Sequence, residues 1–174
     1  MKKVLIVVDM QKDFVDGALG SKEAVGIISH ACEKIRSFDG DIYVTLDTHD
    51  SNYLNTCEGK NLPVPHCIKD TPGWRLNSEI EAALKAKAYT VIEKPTFGSQ
   101  RLAELISEKY DDKELCVEII GICTDICVIS NALTIKAHNP ECEITVDSSC
   151  CAGVSPEAHE AALTVMKSCL INVI

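Results

Sequence analysis

The feature that most limits how this chain can fold is the run Val4-Leu5-Ile6-Val7-Val8, apolar throughout and stopped abruptly by Asp9. A strand with one wet face would alternate polar and apolar residues. A continuous run instead predicts a strand covered on both faces, as in a parallel sheet. Comparable runs return at Asp41–Leu46, Tyr89–Ile92, Leu115–Ile120 and Glu143–Val146, with a short sixth strand over Leu170–Ile174. Between them, apolar residues fall at helical spacing over Glu23–Ser37, Ser78–Lys85, Gln100–Tyr110 and Asp125–His138. A last helix is expected from Ser155-Pro156, a capping serine followed by proline at the first helical position, to about Ser168. Strand alternating with helix predicts an α/β fold: a three-layer sandwich around a mostly parallel, Rossmann-like sheet of about six strands. With 174 residues, 46% of them hydrophobic, the chain suits a single domain spanning residues 1–174.

Sheets of this kind bind ligands at the carboxyl ends of their strands. Asp9 ends the first strand, Asp47 the second and Lys94 the third, and Cys127 follows the fourth on the turn Gly121–Val128. At that turn into a helix, N–H groups lack intrahelical partners and the helix dipole favours negative charge. The position therefore predicts a lowered thiol pKa, with N–H groups able to hold an oxyanion. A cysteine with an aspartate base and a lysine neighbour suits acyl transfer. Each residue alone reads as readily as a core thiol, a strand-end turn residue or a solvated charge. Their coincidence at successive strand ends carries the catalytic reading.

The segment Thr48–Trp74 is long, polar and rich in proline, and loops of that length in compact domains usually serve function. Asp47, His49 and His66 supply one carboxylate and two imidazoles, a donor set suited to a divalent transition metal. His30, His138 and His159 fall in helical patterns and are expected to be structural or exposed. The net charge of −9 argues against a nucleic-acid or acidic-membrane partner. No apolar stretch approaches the roughly 20 residues of a membrane span, and the run after Met1-Lys2-Lys3 is too short for a signal sequence. Ten cysteines without a C-x-x-C pair read as reduced thiols in a cytoplasmic protein. The same spacing counts against a thiol redox pair of Cys123 and Cys127.

The chain resembles the isochorismatase-like cysteine hydrolases, and most of all their nicotinamidase branch. The matching stretches are Val7–Phe14, Asp47-Thr48-His49, Pro65-His66-Cys67 leading to Thr71-Pro72-Gly73, Glu93-Lys94 and Gly121–Val128, in the family's order. The resemblance implies that Cys127 is the nucleophile, Asp9 the general base and Lys94 the third catalytic residue. It implies one divalent ion, commonly zinc, on Asp47, His49 and His66, and a cis peptide at Ile122–Cys123 that sets the Cys123 N–H beside that of Cys127 as an oxyanion hole. It also implies a small amide substrate and a homo-oligomer. Two departures bear on the substrate. Proline stands at position 63, where nicotinamidases usually carry a tryptophan against the pyridine ring, and the alanine usual at position 123 is Cys123. Phe14 and Trp74 are the aromatic residues expected to replace that wall. Asn55 and Glu58 are the nearby candidates for a fourth metal ligand. The alternatives are a sister hydrolase acting on a ureido or carbamoyl amide, or a non-catalytic member of the same fold.

Overall fold

The computed structural model describes residues 1–174. Six strands, β1 (Lys2–Val8), β2 (Asp41–Asp47), β3 (Tyr89–Lys94), β4 (Leu115–Ile122), β5 (Glu143–Ala152) and β6 (Asn172–Val173), pair in the order β3-β2-β1-β4-β5-β6. Every pairing is parallel, so the mostly parallel sheet expected from sequence is wholly so. The helices are α1 (Lys12–Val15), α2 (Lys22–Gly26), α3 (Ile28–Ser37), α4 (Cys57–Asn61), α5 (Ser78–Leu84), α6 (Gln100–Lys109), α7 (Ile129–His138) and α8 (Pro156–Ser168). Successive residues of β1 serve opposite cores. Val4, Ile6 and Val8 pack with α6, α7 and α8 residues such as Leu102, Ile135 and Met166. Leu5 and Val7 pack with α3 and α5 residues such as Ile35 and Leu84. The unbroken apolar run is thus accounted for: both faces of the strand are covered.

Three elements differ from expectation. The Glu23–Ser37 periodicity is divided into α2 and α3 at Gly26-Ile27, where glycine gives the helix poor support. The loop after β2 holds a 3-10 turn, Tyr53–Asn55, and the short helix α4. β5 continues past Val146 to Ala152, with a register shift against β4 between Ile119 and Gly121. The polar residues Asp147, Ser148 and Ser149 hide that continuation from a reading of apolar runs.

Strand order reverses direction between β1 and β4, and this is the switch point where such sheets form their ligand crevice. At that seam Gly121 has φ of +131°, and a Cβ there would lie 2.1 Å from the Val8 carbonyl oxygen. Only glycine lets the two strands approach so closely. The ends that carry Asp9 and Cys127 are therefore side by side. No helix of the chain is long and apolar enough to cross a membrane.

Candidate active site

The residue after β1, Asp9, adopts a left-handed backbone (φ 47°) and is fully buried. Aspartate tolerates that conformation better than most residues, and Cys67, Asp70 and Leu170 adopt it too. Thr45 on β2 holds it twice: its hydroxyl donates to Asp9 Oδ1 at 2.6 Å, and Oγ1 accepts from the Asp9 N–H at 3.2 Å. The end of β3 supplies Lys94, 1% exposed, whose Nζ lies 2.6 Å from Asp9 Oδ2 and 3.5 Å from Cys127 Sγ. The same ammonium donates to the Thr96 carbonyl at 3.0 Å and lies 3.7 Å from Asp47 Oδ1. Its contact with Asp9 Oδ2 is an ion pair without hydrogen-bond alignment, so that oxygen has no aligned donor. The three residues singled out at the ends of β1, β3 and β4 do converge.

Burial pushes the Asp9 carboxyl above its ordinary value, with the Lys94 charge pulling the other way. Burial, and then the Asp9 charge, hold the Cys127 thiol well above its ordinary value, with Lys94 offsetting part. The lowered thiol pKa expected from the turn is thus not found. Cys127 is 5% exposed and faces a carboxylate, and these two effects outweigh the lysine and the helix end. The resting arrangement is a thiol beside a carboxylate and an ammonium, with the proton still on sulfur.

Cys127 lies in a π-helical turn, Thr124–Val128, that leads into α7. The peptide Ile122–Cys123 is cis, as the resemblance implied. The Cys123 carbonyl accepts the N–H groups of Ile126 (3.1 Å) and Val128 (3.0 Å), passing over that of Cys127. The Cys123 N–H has no backbone acceptor. Asn131, one α-helical turn beyond Cys127, is fully buried and secures this turn. Its Nδ2 donates to the Cys127 carbonyl (2.8 Å) and to the Phe97 carbonyl (3.2 Å), and its Oδ1 accepts the Ser99 N–H (3.0 Å). Asn131→Ala would strand two buried backbone groups, the Ser99 N–H and the Cys127 carbonyl, each costing about 1–3 kcal/mol when unpaired, and would free the part-buried Phe97 carbonyl. We expect urea unfolding to show a loss of about 2–4 kcal/mol in that variant, with impaired turnover at temperatures where it is still folded. A loss within about 0.5 kcal/mol would mean that water replaces the amide.

The second predicted cluster also assembles. Ligand atoms of Asp47, His49 and His66 all lie within 4.8 Å of one another. Asp47 Oδ2 is 2.9 Å from His49 Nε2 and 3.5 Å from His66 Nε2. Burial opposes charge on Asp47, but the two imidazoles and Lys94 outweigh it and hold the carboxyl below the usual range. His66 Nδ1 is 2.8 Å from the Val64 carbonyl; a carbonyl only accepts, so the proton of the neutral ring sits on Nδ1 and Nε2 turns its lone pair inward. His49 Nε2 is buried without an aligned hydrogen bond, despite Asp47 being near. Tyr53 packs against both imidazoles, at centroid distances of 4.7 and 5.0 Å, and Phe14 lies 5.3 Å from the His66 ring. An orphaned buried nitrogen, an inward lone pair and a carboxylate fit a divalent cation. Of the two candidates for a fourth donor, Glu58 is the one nearby: its Oε1 is 3.6 Å from His49 Nε2 and 3.5 Å from His66 Nε2. Asn55 instead bonds Asn52 on the surface.

Both clusters open into one cavity of about 760 Å³. Phe14 lines it, as do Cys123 and Cys127. Trp74 does not, which corrects its expected place against the substrate. Its indole N–H is tied to Thr48 Oγ1 (2.9 Å), and its carbonyl accepts from Gln11 Nε2 (2.8 Å), which holds the ring away from the cavity. The second aromatic wall is Phe97, from the loop after Lys94. Reading the sequence missed Phe97, Thr45, Gln11 and Asn131. Two of these carried a signal: Thr45 shares a strand face with Asp47 two residues on, and Asn131 stands at i+4 from Cys127. Gln11 clamps the strand end that carries the candidate metal ligand Asp47, donating to the Asp47 carbonyl (2.9 Å) and accepting its N–H (2.8 Å). His30 and His138 are exposed, and His159 is bonded to Thr124 Oγ1 at 2.8 Å, so all three stay outside the site.

Comparison with known proteins follows the same lines. The family model described as Isochorismatase domain matches residues 3–174. The nicotinamidase/pyrazinamidase of Mycobacterium tuberculosis is 25% identical over 187 aligned residues, covering 99% of this chain and 98% of that protein. Among solved structures, the pyrazinamidase/nicotinamidase of Streptococcus mutans superposes with a TM-score of 0.84 at 28% identity, over 99% of this chain and 100% of that one. The pyrazinamidase of Pyrococcus horikoshii, solved in complex with zinc, gives 0.77 at 28% identity, over 100% and 99% of the two chains.

Proposed function

Because this chain belongs to the isochorismatase family, we propose that it is a metal-containing cysteine amidohydrolase of the nicotinamidase type. It would cleave the C–N bond of a small amide to give the acid and ammonia. The observation that carries this reading is the buried contact of Asp9, Lys94 and Cys127 at the strand-order switch, with the thiol still protonated and a carboxylate beside it. Asp9 accepts the thiol proton as Sγ attacks the carbonyl carbon, and the oxygen becomes an oxyanion held by the Cys123 and Cys127 N–H groups. Asp9 returns that proton to the amide nitrogen, the C–N bond breaks, and ammonia departs from a thioester. Water then attacks the thioester carbonyl, giving one proton to Asp9. The C–S bond breaks, the acid leaves, and the proton restores the Cys127 thiol. Lys94 keeps its charge throughout and holds Asp9 in position.

Asp47, His49 and His66, with Glu58 as a fourth protein donor, would hold one divalent ion, zinc in our reading. Bound there, the ion supplies a Lewis-acidic contact for a ring nitrogen or equivalent donor atom of the substrate. His66→Ala should weaken metal binding by ~100-fold or more, since even outer-shell partners of metal ligands are worth about 10–100-fold. It should raise KM more than it lowers kcat, the form expected when a uniform binding contact is lost. Metal analysis and steady-state kinetics on one preparation test this, and a variant with full metal content and unchanged KM would remove the metal assignment. All ten cysteines are free thiols, which supports a reducing, cytoplasmic compartment. A homo-oligomer remains an inference from the family resemblance. The reading as a whole is tested by ammonia release from a panel of amides that includes nicotinamide.

A further inference from the structure

The cavity is much larger than its reactive end requires. At about 760 Å³ it lies in the upper part of the range of about 300–1,000 Å³ found for sites that enclose drug-sized ligands. That is several times the volume of a carboxamide on a single six-membered ring. Its lining holds Cys127 and the Asp47–His66 donors, and the rest is largely apolar, with the uncharged polar residues Ser21, Asn61 and Thr96 among it. Phe97, Leu62 and Val154, exposed by 45%, 38% and 59%, all line this one cavity. Large apolar side chains scattered singly over a surface need no explanation, but three that share a cavity with a buried thiol mark a binding surface. Phe97 is also held rather than loose. Its carbonyl accepts from Asn131, and Thr96 beside it accepts from Lys94.

The charge of the lining narrows the ligand further. No lysine or arginine lines the cavity, whereas Asp47 and Glu58 both do. The Lys94 ammonium is 1% exposed and already engaged by Asp9 and Thr96. Even with a divalent ion bound, the two carboxylates would cancel its charge, leaving nothing to pair with an anionic group on the substrate. A buried carboxylate without a partner is strongly disfavoured.

We propose that the cavity selects neutral amides carrying a second apolar group beyond the ring next to the carboxamide, seated on Phe97, Leu62 and Val154, and rejects amides with an added carboxylate. This rests on the amidohydrolase reading above and gives it a substrate class. It also sets aside ureido acids, which bring a carboxylate the site has no cation to meet.

The test compares nicotinamide with its 5-phenyl and 5-carboxy derivatives, which share the carboxamide and the pyridine nitrogen. Ammonia release should give the 5-phenyl compound a kcat/KM about 10-fold or more above nicotinamide, the effect of withdrawing an aromatic face from water. The 5-carboxy compound should fall about 10-fold or more below it. Phe97→Ala should reduce the phenyl-to-unsubstituted ratio about 10-fold, chiefly through KM. A ratio at or below one in the parent protein, or a ratio unmoved by Phe97→Ala, overturns the proposal. So does a Phe97→Ala protein that sediments as a smaller assembly, because the apolar rim is then a subunit contact. Calorimetric binding to Cys127→Ala separates the two levels. Tighter binding of the 5-phenyl compound that depends on Phe97, with no hydrolysis of any amide by the parent, upholds the cavity inference and rejects the amidohydrolase reading. Turnover of nicotinamide with no preference in either assay does the reverse.

Discussion

Cys127→Ala is expected to lower amide hydrolysis by about 10⁴-fold or more, while Cys123→Ala retains most of it. The two thiols sit four residues apart in the same cavity, so the contrast is a sharp one. Cys127 has Lys94 Nζ at 3.5 Å, and burial followed by the nearby Asp9 charge holds its thiol well above the ordinary value. Burial pushes the Cys123 thiol up to about 12, with the charges of Asp125 and Asp9 adding to it, and no group hydrogen-bonds its sulfur. What Cys123 would contribute is its backbone N–H, which alanine keeps. Initial rates of ammonia release from both variants decide the point. Equal loss in the two would point to a redox pair and sink the nucleophile assignment. Alkylation is a poorer test, because Cys57 is exposed and Cys127 rests as a buried thiol.

The positions of the candidate reacting groups can be read from sequence because each stands where an apolar run ends. Asp9, Asp47 and Lys94 are the first side chains after Val8, Leu46 and Glu93 to find the sheet's edge, and a parallel sheet puts all such edges together. What their chemistry would be was less readable. Thiol ionisation depends on burial depth and on the distance to Asp9, and a helix-end position reports neither. Trp74 shows the same limit for a side chain in a loop. The length and polarity of the segment after β2 point to function, yet which way the indole turns is decided by Thr48 and Gln11, both remote from it in the chain. Thr45, Gln11 and Asn131 are hard to read because a spacing from Asp47 or Cys127, which Thr45 and Asn131 have and Gln11 lacks, does not name a partner. Their role lies in partners 36, 63 and 32 residues away. The helix break at Gly26 and the extension of β5 are smaller misses of one kind: apolar spacing continues through the first and is interrupted in the second.

Asp9→Asn is the second substitution expected to act strongly, with kcat/KM falling by about 10²–10⁴-fold, the usual worth of a positioned general base. Asparagine can still accept the Thr45 hydroxyl, but it cannot take the thiol proton. The parent protein carries a matching signature in its pH profile. Protonated Asp9 cannot take the thiol proton, so kcat/KM should rise with pH as Asp9 ionises, and burial places that rise above the carboxyl's ordinary 3.8. Lys94 is shifted upward from 10.5, burial opposing its charge but the acidic groups around it, Asp9 first, together outweighing burial, so its loss of charge does not cut activity in the neutral range. The Cys127 thiol titrates well above its ordinary 9.0, so no second rise should appear between neutrality and that value. An enzyme that relied on a preformed thiolate would behave in the opposite way, gaining rate steadily through that region. Rate against pH for the parent, with circular dichroism and metal content checked on Asp9→Asn, separates the two schemes. A flat acid side together with a rise near pH 9 would remove Asp9 as the base and leave Lys94 as the residue that activates sulfur.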